Sequence, residues 1–179
     1  MKTTHYLQFT AIGQGQMHVI NRLVNLLHGI KSAKTLTFAL AFPQMKTGNR
    51  PHTGNVIQVF SDEGTLGVIF SELKDKPFII DYVHLGRIKT VPDSIDTYTE
   101  YALYRVPSRK TRTVDTRLRR ITAAESLPYL RVTSKSNGQA FSLRIKSTRR
   151  EKPSDSIIPN SYGLAVTSRP FALPDIPVN

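Results

Sequence analysis

Apolar residues in the first ninety positions recur with two spacings, and the spacing changes where the elements change. Residues 5–10 (HYLQFT) alternate apolar and polar, the pattern of a strand with one buried face. Over residues 16–28, Ile20, Leu23, Val24 and Leu27 fall at i, i+3, i+4 and i+7, which predicts an amphipathic helix that stops at Gly29. Residues 35–42 (TLTFALAF) predict a second strand closed by Pro43. Residues 44–54 form a loop rich in turn formers, and residues 56–60 a third strand. A short helix is expected over 64–73. A fourth strand is expected over 78–83, with 84–91 as its extension. The order β-α-β-β-α-β is the ferredoxin-like pattern, shared with the common RNA recognition module.

The rest of the chain is patterned differently. Residues 92–101 look like a linker. Residues 113–121 predict a turn or two of helix, with Val114, Leu118 and Ile121 as an apolar stripe. Arg117 and Arg120 then share one face, and Arg112 and Arg119 another. Thr122 and Glu125 have capping-box spacing, and Pro128 ends that stretch. Residues 129–133 and 141–145 predict two strands around SKSNGQ, whose Asn137-Gly138 is a hairpin signal. The segment after Pro153 is loop-rich, with four prolines. The expected class is α+β: a ferredoxin-like domain over 1–92, then an RNA-binding domain over 93–179 with an arginine-rich helix and a β-hairpin.

Charge sharpens this picture. The 179 residues include 25 Lys and Arg against 13 Asp and Glu, a net charge of +12. A pI near 10.2 fits a polyanionic partner, nucleic acid before membrane. Residues 105–120 carry seven basic residues and one acid, half the net charge in a tenth of the chain. Arg144, Lys146, Arg149, Arg150 and Lys152 form a second cluster, while residues 1–100 are close to neutral. The basic helix has too few large apolar residues for a membrane surface, and no apolar run approaches a membrane span. The absence of cysteine excludes disulfides, thiolate metal sites and thiol catalysis. With no apolar core of a secretory signal at the start, a cytoplasmic protein without a cofactor is expected.

Three features offer chemistry. Guanidinium forks on a helix suit phosphate oxygens and guanine edges, though A-form RNA admits a helix only where its deep groove opens, at a hairpin end. His28, beside Gly29, has the side chain that takes a proton near neutral pH; from the residues alone, an ordinary surface or capping histidine at a helix end accounts for it better. In Ser134–Phe141, hydroxyls and turn N–H groups suit a phosphate and Phe141 suits a base; a plain hairpin turn with a core phenylalanine is the reading this fragment alone favours. His5, His18, His52 and His84 show no metal-ligand spacing. Gly13-Gln14-Gly15 lacks the third glycine and the later acid of a dinucleotide site and reads as a loop.

The fragments HYLQF, LLHG around His28, FALAFP at 38–43, the arginine segment at 105–120, LPYLRVTSKSNGQAFSLRI at 127–145 and SYGLA at 161–165 occur in the order of a known family. In this the chain resembles the type I-F CRISPR RNA endoribonucleases, Csy-type nucleases that process precursor guide RNA. The resemblance implies a catalytic role for His28, a serine that holds the attacking ribose hydroxyl at Ser134, and a tyrosine that orients the histidine at Tyr162. It implies that Phe141 stacks on the pair at the foot of the stem, that Arg105 reads a base there, and that Ser136 and Gln139 belong to the same loop. Arg117, Arg119 and Arg120 fall on the helix in the hairpin's groove; Arg109, Lys110 and Arg112 belong to the same basic segment. Pro107 stands where the family has a glutamine, which puts the flanking base recognised in question. The implied partners are the repeat RNA hairpin and a Cascade-type backbone subunit of a surveillance complex. The main rival is a non-catalytic RNA-binding subunit of the same fold, and His28 with Ser134 and Tyr162 separates the two.

Overall fold

A computed structural model describes residues 1, 3–106, 114–133, 138–154 and 156–178. Its first sheet is built from β1 (His5–Ala11), β2 (Ala39–Ala41), β3 (Val56–Ser61) and β4 (Val83–Leu85) in the order β2-β3-β1-β4, with β5 (Lys89–Thr90) also against β1. Every pairing is antiparallel, and β1 aligns His5 with Ser61 and Thr10 with Val56. With α1 (Gln16–Lys34) and α2 (Glu63–Leu73) as its helices, this is the ferredoxin-like arrangement that the sequence predicts. The second sheet has the order β7-β8-β6-β9, from β6 (Tyr98–Tyr104), β7 (Tyr129–Thr133), β8 (Ala140–Arg150) and β9 (Leu173–Pro174). Helix α3 (Pro77–Tyr82) precedes β4, and α4 (Val114–Glu125) lies between β6 and β7.

Four expectations are corrected. Helix α1 does not stop at Gly29. It continues to Lys34 and ends only where Thr35 turns left-handed at φ 52°, with the Leu36 N–H donating to the Lys31 carbonyl. A mid-helix glycine costs about 1 kcal/mol, and burial of Ile30 offsets it. Residues 77–82 are helix rather than strand. Pro77 starts that helix with φ already set, and the Lys76 carbonyl accepts from Ile79 and Ile80. Phe78 and Ile79 go inward while Ile80 is 65% exposed, a helical division that overrides the strand preference of Phe-Ile-Ile. Residues 98–101 are part of β6, not a linker. The polar Glu100 that breaks the apolar pattern is buried and takes two hydrogen bonds from Arg150 on β8, at 2.6 and 3.1 Å. Thr122 and Glu125 lie inside α4, so their spacing caps nothing, and Leu118 of the expected apolar stripe is 54% exposed.

The two sheets share one core. Tyr101 of β6 packs edge-on to Phe42, with ring centres 5.9 Å apart. The segment after Pro153 is more than loop, because residues 163–165 stitch the sheets together. The Gly163 carbonyl accepts from Leu40, and Ala165 exchanges backbone hydrogen bonds with Tyr101 and Leu103. The approach at Gly163 requires glycine: φ is +79°, and a Cβ there would stand 2.8 Å from Leu40 Cγ and 3.2 Å from Leu40 N. Gly13 has a similar φ of +73° but open space around it. Gly13→Ala should therefore cost only the left-handed strain of about 1–2 kcal/mol. Gly163→Ala should cost at least about 1 kcal/mol more, because two backbones must separate. Denaturant melts of both variants check this, and equal losses would contradict the close approach.

Candidate active site

Three elements meet where the sheets join. Helix α1 brings His28, β8 brings Phe141 near its start, and residues 160–162 bring Tyr162. His28 lies within α1, six residues before its end, rather than at its terminus. Its imidazole stacks on the Tyr162 ring at 4.2 Å and 19°. Phe141 meets the same tyrosine edge-on at 6.2 Å. Thus three aromatic rings, 134 residues apart in sequence at the extremes, form one cluster with Tyr162 at its centre.

The histidine's tautomer follows from its partner. Nδ1 lies 2.9 Å from the Ser161 carbonyl oxygen. A carbonyl only accepts, so Nδ1 carries the hydrogen and neutral Nε2 keeps its lone pair. The ring is thereby held by a hydrogen bond at Nδ1 and a stacking partner on one face. Burial raises the Tyr162 phenol above its usual pKa, so it stays neutral at physiological pH.

The loop that presents Tyr162 is fixed by α1 itself. Lys31, one turn beyond His28, donates to the Asn160 carbonyl at 2.8 Å and the Phe38 carbonyl at 3.3 Å. The Asn160 side chain in turn accepts from the Tyr162 and Leu164 amides at 2.8 and 3.1 Å. One turn before His28, Asn25 accepts from the Thr133 amide, and Asn21 accepts from the Arg131 amide. These asparagines at i and i+4 cover the open edge of β7, which would otherwise present unpaired N–H groups. Asn21, Asn25 and Lys31 were not foreseen; the i, i+4 asparagine pair on a polar helix face was the available signal.

The expected arginines divide. Arg105 is exposed beside Phe141, and its carbonyl accepts from Arg120 Nη1 at 3.4 Å. The Arg120 carbonyl accepts from the Tyr104 hydroxyl at 3.4 Å, which ties α4 to the end of β6. Arg119 is exposed, and Arg117 is half-buried with its Nε lacking a partner among the described residues. Arg144 on β8, from the second basic cluster, donates to the carbonyls of Ala124 and Leu127 and so fixes the exit of α4. Gln139 is exposed just ahead of β8. Ser134, Ser136, Arg109, Lys110, Arg112 and Pro107 lie outside the described residues; Thr133, directly before Ser134, lines the same cleft as His28. Among the described residues, no cluster of three or more His, Asp and Glu side chains is placed to hold a metal ion. Among those residues too, no helix is long and apolar enough to cross a membrane.

Burial pulls the Lys31 ammonium down from 10.5 to about 8, although two carbonyls receive its protons. The unfolded chain therefore holds a proton here that the native chain sheds between pH 8 and 10.5. Stability from this group rises with pH across that window. Denaturant melts of the wild type and Lys31→Met at pH 7.5 and 10 should show the difference moving in favour of the wild type at the higher pH. A pH-independent difference would contradict the assigned burial.

Comparison with known proteins bears on this arrangement. The family model described as CRISPR-associated protein (Cas_Csy4) matches residues 6–175, nearly the whole chain and every element of the site. No curated protein matches the sequence.

Proposed function

The chain belongs to the Csy4 family of CRISPR-associated RNA-processing endoribonucleases, and on that premise we propose that it grips a type I-F repeat stem-loop and cuts at the hairpin's 3′ base without a metal ion. Residues 1–92 carry the base on a ferredoxin-like scaffold, and residues 93–179 supply the grip on RNA. Neutral His28 takes the proton of the ribose 2′-hydroxyl at Nε2. The 2′-oxygen bonds to the adjacent phosphorus and the bond to the 5′-oxygen breaks, with that oxygen protonated by the imidazolium or by water. The products are a 2′,3′-cyclic phosphate and a 5′-hydroxyl. Ser134 holds the hydroxyl, and Tyr162 positions the imidazole.

The observation that carries this reading is the anchored imidazole: Nδ1 on the Ser161 carbonyl, one ring face on Tyr162, and Nε2 left basic. Phe141 stacks on the closing pair of the stem, 6.2 Å from Tyr162 and so close to the base. Arg105 reads a base at the stem's foot, and Arg109, Lys110, Arg112, Arg117, Arg119 and Arg120 take the groove and its phosphates. Ser136 and Gln139 contact the same strand. Because the stem supplies most of the affinity and survives the cut, the product stays bound. The protein then sits at the 3′ hairpin of the guide within a surveillance complex, against a Cascade-type backbone subunit.

Base catalysis of this kind contributes ~10²–10⁴ in rate. His28→Ala should lower the single-turnover cleavage rate by at least that factor, while hairpin affinity changes by less than about twofold, under 0.5 kcal/mol. Wild-type cleavage should persist in EDTA. Parallel loss of affinity and rate in His28→Ala, or a requirement for added magnesium, would contradict the scheme.

A further inference from the structure

The hydrogen bond that fixes the His28 tautomer depends on where the Ser161 carbonyl points. That carbonyl and the Tyr162 N–H belong to one peptide unit. The unit is trans and planar, so its two polar groups point to opposite sides. Fixing either group therefore aims the other. The Tyr162 N–H donates to the side-chain oxygen of Asn160 at 2.8 Å. The Leu164 N–H converges on the same side chain at 3.1 Å, and two donors require the amide oxygen there rather than its nitrogen. The Asn160 backbone is anchored as well. Its carbonyl accepts from Lys31 Nζ at 2.8 Å and from the Gly163 N–H at 3.0 Å, and its own N–H donates to the Leu164 carbonyl at 2.9 Å.

Stacking on Tyr162 restrains the plane of the imidazole, 19° from that of the phenol ring, but is indifferent to which nitrogen carries the hydrogen. That choice belongs to the Ser161 carbonyl, and its direction belongs to Asn160. We propose that Asn160 is a positioning residue for cleavage: its side chain aims the Ser161 carbonyl at Nδ1 and so holds His28 in the tautomer whose Nε2 can take a proton. Asn160 acts through the imidazole, not on the reacting atoms. For cleavage this rests on the nuclease function proposed above; for the tautomer it stands without it.

The test combines nitrogen NMR of the histidine-labelled full chain with single-turnover cleavage of the repeat hairpin. At about pH 8, where an unperturbed imidazole is neutral, wild-type His28 should carry its hydrogen on Nδ1. Asn160→Ala should move His28 to a mixture of tautomers and lower the cleavage rate at saturating protein by about 10- to 100-fold. Hairpin affinity should change by less than about twofold. Asn160→Leu, close in shape but without the acceptor, should behave as Asn160→Ala does and serves in its place if the smaller side chain prevents folding. Asn160→Asp keeps the acceptor oxygen and should restore the Nδ1–H tautomer and most of the rate. A role in stability alone would leave the tautomer of the folded variants unmoved. Hydrogen on Nε2 in the wild type, an unmoved tautomer or a smaller rate loss in the Ala and Leu variants, or no rescue by Asp would overturn the inference. A wild type with the Nδ1–H tautomer that leaves the hairpin uncut would overturn the proposed function instead.

Discussion

Helix α1 and the segment 160–165 are locked together over one helical turn, from His28 to Lys31, and the site exists only where they lock. Lys31 grips the Asn160 carbonyl, Asn160 grips the amides of Tyr162 and Leu164, and the Ser161 carbonyl receives the His28 N–H. Gly163 then dives against Leu40 of β2 with no room for a side chain. The links are half-buried hydrogen bonds, with an exposed one at His28, each with a small net contribution of about 1 kcal/mol. Their joint effect is positional: an imidazole on the first helix meets a phenol from the far end of the chain at stacking distance.

The same helix organises both halves of the molecule. Its apolar face, with Ile20, Leu23, Val24 and Leu27 fully buried, lies on the first sheet. Its polar face holds the edge of β7 through Asn21 and Asn25. A single rigid element thus fixes His28, the tyrosine loop and the strand that leads to Ser134. Rigid positioning of this kind is what proton transfer at a ribose hydroxyl demands, since misplacement by an ångström forfeits most of the advantage. The positive charge lies around this centre rather than in it, which suits binding through phosphates.

The periodicity of residues 16–28 and the alternation of residues 5–10 and 56–60 were legible because each element buries one face. Residues 77–82 read as strand because three strand-forming side chains outweigh a proline whose effect is local, and residues 98–101 read as linker because the partner of Glu100 is distant in sequence. A buried carboxylate cannot be told from a surface one until its arginine, fifty residues on, is seen beside it. Within the site, His28, Phe141 and Tyr162 were marked by family resemblance; spacing alone left the histidine as an ordinary helix residue. The roles of Lys31 and the asparagine pair are hard to read from sequence for a related reason: their spacing shows a polar helix face, but their partners include backbone groups more than a hundred residues away.

The account's central claim is that His28 activates the RNA's own 2′-hydroxyl, and the ends left by the cut report on it directly. End analysis by mass spectrometry of a repeat hairpin cleaved by the wild type should find a 2′,3′-cyclic phosphate on the retained strand and a 5′-hydroxyl on the released one. A 3′-hydroxyl and a 5′-phosphate would mean that water, not the ribose, attacked, and would contradict the account.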